Sequence, residues 1–518
     1  MRTRRGVLFS GVAVLVAAGA GLAAVPAGAT PPPATTPAGD RLVNAVVVAK
    51  PGVPLPLHVG GGKVLDVFSR LGSELVRAPE SALQALATNP RVAGVSADRA
   101  GHVTGYGGAD AASSAGVFAS DGLGGNAGDA DAGEGVNVAL LDTGVSSTPA
   151  LNRSSGRITD GVDVSHLSDG GQARTSGVFT DGYGHGTFLA SLIAGGPVAG
   201  SGGKPLGVAP AARIVVVKVA DNSGETTLAQ VLAGMDWVAA HAQGPDGQQM
   251  IQVLNLALAM DRPTAPAYGA DPLTTAVEHV RAAGVLVVAA AGNQPGQVGD
   301  PGMDPQALTI GAADLTGRST RVASFSGSAV VAGVPKPDVV ASGVRLLGLV
   351  PANSTIAREH PDGWQPNGLF RGSGTSEATA VASGVAAVWL SEHPGASALD
   401  AKAALRSATT NVAGNGIRSG TGLLTLADGN RGRGNASGAG LGERSFDPQR
   451  WQDNAWSDPA WNGTGWQQWL ASSWSASSWS ASSWSASSWS ASSWSASSWS
   501  ASSWSASSWS DFGWGDDA

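Results

Sequence analysis

Cysteine is absent from the 518 residues, which excludes disulfides, zinc–thiolate sites and a cysteine nucleophile. Aromatic residues are scarce where a core should be. All of the 17 Trp except Trp237, Trp364 and Trp389 lie at or beyond Trp451, so any core must be built from Ala, Val and Leu. Charged residues make up only 14%, with a formal net charge of −8 and no basic patch. Neither nucleic acid nor an anionic membrane surface is therefore an expected partner.

The length calls for more than one folded unit. Arg2, Arg4 and Arg5 precede an uncharged apolar run from Gly6 to Ala29 that ends in Ala27-Gly28-Ala29. That is the pattern of a cleaved signal peptide over residues 1–29, and it predicts an extracellular or cell-wall-associated protein. Thr3-Arg4-Arg5-Gly6-Val7-Leu8 also resembles a twin-arginine signal, and the run is long enough for an uncleaved anchor. An exported chain without cysteine must draw its stability from a large core, bound ions or both.

A Pro/Thr spacer, Thr30 to Gly39, leads into a small unit read as strand, helix, strand: Asn44–Ala49, Ser81–Thr88 and Arg91–Ala97. It ends near Val103. The Gly/Ala/Ser/Asp-rich stretch from Thr104 to Gly135 has no hydrophobic period and reads as an exposed, protease-sensitive linker. The pattern then changes to short apolar strands (Val136–Leu141, Arg213–Val219, Ile251–Leu258, Val285–Ala291) alternating with helical spacing over Thr226–His241 and Thr274–Ala283. Near-continuous apolar strands are buried on both faces, so this predicts an α/β domain with a mostly parallel sheet. A last strong helix runs from about Ser376 to Leu390 and stops before Pro394. The expected divisions are thus 1–29, 30–115 for the small unit and linker, 116–428 for the α/β domain, and 429–518 for a tail. Residues 471–510 of that tail are eight copies of Ala-Ser-Ser-Trp-Ser. A period of five suits neither a helix face nor a strand face, so disorder is expected, serving as a spacer or as a set of indoles for adhesion to the cell wall.

Four motifs could carry chemistry. Val136–Leu141 runs into Asp142-Thr143-Gly144, which puts a carboxylate at the end of a parallel strand, where α/β folds place ligands. Asp-Thr-Gly also suits an aspartic protease, but that mechanism needs a second such motif and none is present. Gly184-His185-Gly186-Thr187 frames a histidine with glycines, ahead of a helical segment from Phe188 to Ala194. Val285–Ala291 ends in Ala291-Gly292-Asn293, and Gly374-Thr375-Ser376 opens the last helix, aiming free N–H groups and a positive dipole end at its surroundings. Each has a plainer reading as a turn or cap residue. The joint order Asp, His, Asn, Ser is more telling: α/β-hydrolases run Ser, Asp/Glu, His and the chymotrypsin type runs His, Asp, Ser, whereas the subtilisin type runs Asp, His, Ser.

With these motifs the chain resembles the subtilases over roughly residues 40–428, as it also does at Gly207-Val208-Ala209-Pro210 and Lys336-Pro337-Asp338-Val339-Val340-Ala341. The resemblance implies a subtilisin-like three-layer α/β domain preceded by a small α+β propeptide spanning Asn44 to Val103. It implies a self-processing serine endopeptidase whose partners are protein or peptide substrates and its own propeptide. By position, Ser376 is the nucleophile, His185 the general base and then acid, Asp142 its orienting carboxylate and Asn293 an oxyanion donor. Substrate would lie as a strand between Ala257-Leu258-Ala259 and Ser223-Gly224-Glu225, read through its main chain with broad specificity. No cofactor is required. Structural calcium is common among subtilases, but no Asp-x-Asp-x-Asp-Gly loop locates a site. Three positions depart from the family pattern: Glu377 replaces an apolar residue, Ala380 a proline, and Ala-Leu-Ala a Ser-Leu-Gly. They leave a second reading, a degenerate subtilase acting as a surface scaffold, and the tail suggests a third, a wall-binding protein.

Overall fold

The structure, a computed structural model, describes residues 41–103 and 116–426 apart from 169, 261–268, 318 and 413–415. The predicted signal peptide, the Pro/Thr spacer and the repetitive tail lie outside the described residues.

The N-terminal unit comprises β1 (Leu42–Ala49), β2 (Lys63–Phe68), β3 (Ser73–Pro79), α1 (Glu80–Ala87) and β4 (Val92–Ala97). Its strands form one antiparallel sheet in the order β2-β3-β1-β4. Strand, helix, strand is therefore incomplete, because β2 and β3 escaped the sequence reading. The reason is local: a register shift between Val64 and Asp66 interrupts β2, and β3 buries Glu74, whose carboxylate accepts from the Leu57 N–H at 3.0 Å. Neither strand has a clean period of two. One face of this sheet holds Val43, Ala45 and Val47 against Leu83 and Leu86 of α1.

After β5 (Ala100–Val103), the α/β domain begins with β6 (Asn137–Asp142) and β7 (Ile158–Asp163), continues through α2 (His185–Ala194), β8 (Arg213–Lys218), β9 (Glu225–Thr227) and α3 (Leu228–His241), then β10 (Val253–Leu256) and β11 (Leu258–Ala259). The helix α4 (Pro272–Ala282) and the strands β12 (Leu286–Ala290) and β13 (Leu308–Asp314) follow. The main sheet runs Thr409–Thr410, Leu423–Leu424, Val339–Ser342, β13, β12, β10, β6, β8, β7. From Leu423–Leu424 to β7 the pairings are parallel. Alternate residues of β6 explain the unbroken apolar run: Val138 and Leu140 join α2 and the helix Thr375–Glu392, while Ala139 and Leu141 join α3 and α4. Three layers result. The second of these cores also takes in Val46, Phe68, Leu71 and Leu75, so the N-terminal sheet packs against the α3–α4 side.

The expected exposed linker needs correction over its second half. Residues 116–135 fold onto the α/β domain, with Ala119, Leu123 and Ala132 buried in the α2-side core and Val117 bridged to Leu346. Small apolar residues spaced irregularly among turns produce burial without any period.

Candidate active site

Parallel pairing of β6 with β8 and β10 carries Asp142 to the carboxyl end of the sheet centre, where it is 1% exposed. His185 is the first residue of α2, so the helix opens before the predicted segment that begins at Phe188. Gly184 precedes it with φ 110°, a conformation that favours glycine. At Gly186 a Cβ would meet the Gly144 carbonyl oxygen at 2.1 Å and the Asp142 Cβ at 3.2 Å. The glycine frame thus lets the two loops touch. The imidazole Nδ1 lies 2.8 Å from Asp142 Oδ2 and 2.9 Å from Oδ1. Burial disfavours the charged ring, yet the Asp142 carboxylate, helped by Glu377 and Asp181, holds the His185 pKa above its ordinary value.

Asp181, which the sequence reading passed over, ties this corner together. Its Oδ1 accepts from the Gly184 N–H (2.7 Å) and the Thr143 hydroxyl (2.8 Å), and its Oδ2 from the Thr187 N–H (2.8 Å) and hydroxyl (2.6 Å). Thr143 Oγ1 in turn accepts from the Gly186 N–H at 3.0 Å, and Lys218 Nζ donates to the Thr143 carbonyl. The one available signal was a carboxylate four residues before the histidine in Asp181-Gly182-Tyr183-Gly184-His185.

Ser376 is fully buried in the first turn of the helix Thr375–Glu392. Its hydroxyl donates to the Ala257 carbonyl at 3.1 Å, while His185 Nε2 has no hydrogen-bond partner among the described residues. Resting catalytic hydrogen bonds are often unformed, and a χ1 rotation redirects a serine hydroxyl at small cost. Asn293 stands beside the same turn: its Oδ1 accepts from the Thr375 N–H at 2.9 Å and hydroxyl at 2.8 Å. With its oxygen engaged there, the carboxamide keeps its NH₂ donors for another acceptor.

Glu377, next in the chain, is fully buried, and neither carboxylate oxygen has a hydrogen-bond partner among the described residues. Burial outweighs the attraction of His185 and pushes its pKa up to about 7.

The two predicted substrate-contact segments do face one strand. That strand is the chain's own β5, sandwiched antiparallel between β11 and β9. Val103 pairs with Leu258 and the residue before it with Ala259, while Ala100, Gly101 and residue 102 pair with Thr227, Thr226 and Glu225. The Val103 N–H also donates to the Gly224 carbonyl at 3.1 Å. Ala257 meets the groove through the Ser376 contact, whereas the Ser223 hydroxyl turns back to Asp221 at 2.6 Å.

No group of three or more His, Asp or Glu side chains suited to a metal occurs among the described residues.

An Asp–His pair at the carboxyl end of a parallel sheet, with a serine in the first turn of a helix that shares a core with the histidine's helix, is the arrangement of a subtilisin-like α/β domain. The profile of the subtilase family matches residues 133–423, and the chain belongs to that family. It is 33% identical over 289 residues to serine protease AprX of Bacillus subtilis, a match covering 54% of this chain but only 62% of that protein. Subtilisin Savinase of Lederbergia lenta is 31% identical over 293 residues, 56% of this chain and 89% of that one. Among solved structures, fervidolysin from Fervidobacterium pennivorans, a keratinolytic enzyme related to subtilisin, matches with a TM-score of 0.55 and 21% identity over 76% of this chain and 61% of that one. At that identity the likeness speaks for the fold.

Proposed function

We propose that the protein is a secreted serine endopeptidase made as a self-processing proenzyme. The observation that carries this reading is the buried Asp142–His185 pair at 2.8 Å, together with Ser376 bonded to the Ala257 carbonyl next to β11, an edge of the groove that β5 fills, and Asn293 bonded to Thr375 beside it. In the reaction, Ser376 Oγ attacks the scissile carbonyl carbon and passes its proton to His185 Nε2, while Asp142 holds the Nδ1–H and stabilises the imidazolium. The tetrahedral oxyanion accepts from the Asn293 amide and the Ser376 backbone N–H. Collapse breaks the C–N bond, His185 protonates the leaving amine, and water drawn through His185 hydrolyses the acyl-enzyme. No cofactor enters any of these steps.

Export is supported by Arg2, Arg4 and Arg5 ahead of the apolar run to Ala29. Self-processing is supported by β5, which occupies the groove as a substrate strand does, so the first cut is intramolecular and independent of dilution. The tail repeats would hold the mature protein at the cell wall through their indoles, and truncation at Gly429 would then release it with activity intact.

A fluorophosphonate tests the central claim, since only a serine activated by a base reacts. Labelling of the secreted, processed protein at Ser376 and at no other serine is expected. Folded but unlabelled protein would instead favour the degenerate scaffold that Glu377 and Ala380 suggest.

A further inference from the structure

Residue 99 sits where the N-terminal unit ends and β5 begins, and its side chain enters the α/β domain. Arg99 Nη2 donates to Asp300 Oδ2 at 2.8 Å and lies 3.8 Å from Asp271 Oδ1. Arg99 is 8% exposed and both aspartates are essentially fully buried. Each aspartate is fixed by the fold independently of the arginine. Asp271 Oδ2 caps α4, accepting from the Thr274 N–H at 3.0 Å and hydroxyl at 2.5 Å. The Asp300 carbonyl accepts from the Met260 N–H at 2.9 Å, next to β11. The carboxylates thus belong to the part of the chain that remains after processing, contiguous with the groove edge, whereas the arginine belongs to the part that leaves.

We infer that Asp271 and Asp300 form a specificity subsite of the mature protein for a basic side chain, positioned four residues N-terminal to the residue that pairs with Leu258. Arg99 fills this subsite in the precursor, and an arginine of a polypeptide substrate fills it afterwards. The inference rests on the proposed peptidase reading and narrows it, because the main-chain pairing of β5 with β9 and β11 is indifferent to side chains while this contact is not. A guanidinium among buried carboxylates makes charge-assisted hydrogen bonds in a region of low dielectric. An uncharged side chain there gives up the 2.8 Å charge-assisted contact with Asp300, and a glutamate brings a further negative charge towards two buried carboxylates. Lysine keeps the charge but not the planar fork, so it ranks second.

Two experiments decide the matter. The first uses mature protein from the full chain and synthetic peptides with the sequence of residues 97–107, carrying Arg, Lys, norleucine or Glu at the place of Arg99. We expect kcat/KM to fall by at least about tenfold from Arg to norleucine and further to Glu, with the Asp300→Asn protein shrinking the Arg advantage to within about threefold. Equal rates for the four peptides, or an undiminished preference in Asp300→Asn, would overturn the subsite; should Asp300→Asn not fold, the four peptides on the parent protein still decide. The second experiment needs no turnover. In the full-length Ser376→Ala chain, Arg99→Met should speed amide exchange over Gly101–Val103 by about tenfold and Arg99→Lys by less, whereas unchanged protection in both refutes a hold on the basic side chain. A parent protein that cleaves no peptide at all, with the exchange effect present, would sink the peptidase reading while leaving the acidic site standing.

Discussion

Two of the clusters of ionisable groups that the domain buries are built on opposite plans. Around Lys336, which is fully buried, all three Nζ donors are used: Nζ donates to the Ala307 carbonyl (3.0 Å), the Thr309 hydroxyl (2.8 Å) and Asp338 Oδ2 (2.9 Å), while Arg406 approaches Asp338 Oδ1 at 3.4 Å. Although burial opposes it, Lys336 with Lys402 and Arg406 holds the Asp338 carboxyl down at about 2. Burial in turn lowers Lys336 to about 8 against the pull of Asp338. Around Asp142 the plan differs. One side of His185 is satisfied by Asp142, but Nε2 and both oxygens of Glu377 have no hydrogen-bond partner among the described residues. A closed network holds structure together, whereas open valences give up stability; the proposed reaction would use the one on His185.

Mutations should separate the two clusters. The largest effect belongs to Ser376→Ala, which should cut peptide hydrolysis by roughly 10⁶-fold and leave the N-terminal unit attached, with the denaturation midpoint unmoved. Peptide assays and mass spectrometry of the secreted protein read both outcomes. A large loss of stability would place Ser376 on the structural side of the comparison. Next, Lys336→Met in the Ser376→Ala background should cost about 3–5 kcal/mol in denaturant unfolding, because Asp338 loses its nearest buried counter-charge. If the cost is negligible, the closed network is not a structural device.

Asn293→Ala should lower kcat by about 10²–10³-fold with little change in KM, the scale that oxyanion-hole amides show in subtilisin. An equal change in binding and turnover would remove its proposed role.

The smallest effect is the most diagnostic. Glu377 is raised from 4.5 in the unfolded chain to about 7 in the fold, so the native state holds the proton more tightly and stability falls as pH rises from about 4.5 through 7. That shift corresponds to about 3 kcal/mol. Glu377→Gln should abolish this slope and leave the variant more stable than its parent above pH 7, as pH-dependent denaturation would report. Because Glu377 also helps raise His185, the acid limb of kcat/KM should move to lower pH in the same variant. An unchanged limb would uncouple Glu377 from the reacting histidine.

The expectations succeeded and failed for physical reasons. Strands buried on both faces, such as β6 and β12, declare themselves by unbroken apolar runs, and the residues at their ends were legible with them. β2 and β3 were not, since a bulge and a buried Glu74 erase their period. Neither was the burial of Ala119, Leu123 and Ala132, which depends on what lies opposite them and not on their spacing.

By itself the sequence determined the α/β class, the order Asp142, His185, Asn293, Ser376 and the two groove segments, because backbone periodicity and glycine-framed motifs are local properties of the chain. Only the tertiary structure decided that Asp181 braces the histidine loop, that Glu377 is buried without a hydrogen-bond partner among the described residues, and that Arg99 reaches Asp271 and Asp300. Those outcomes depend on burial and on distances between residues as far apart as 99 and 300, and dielectric environment and side-chain geometry exist only once the chain has closed on itself.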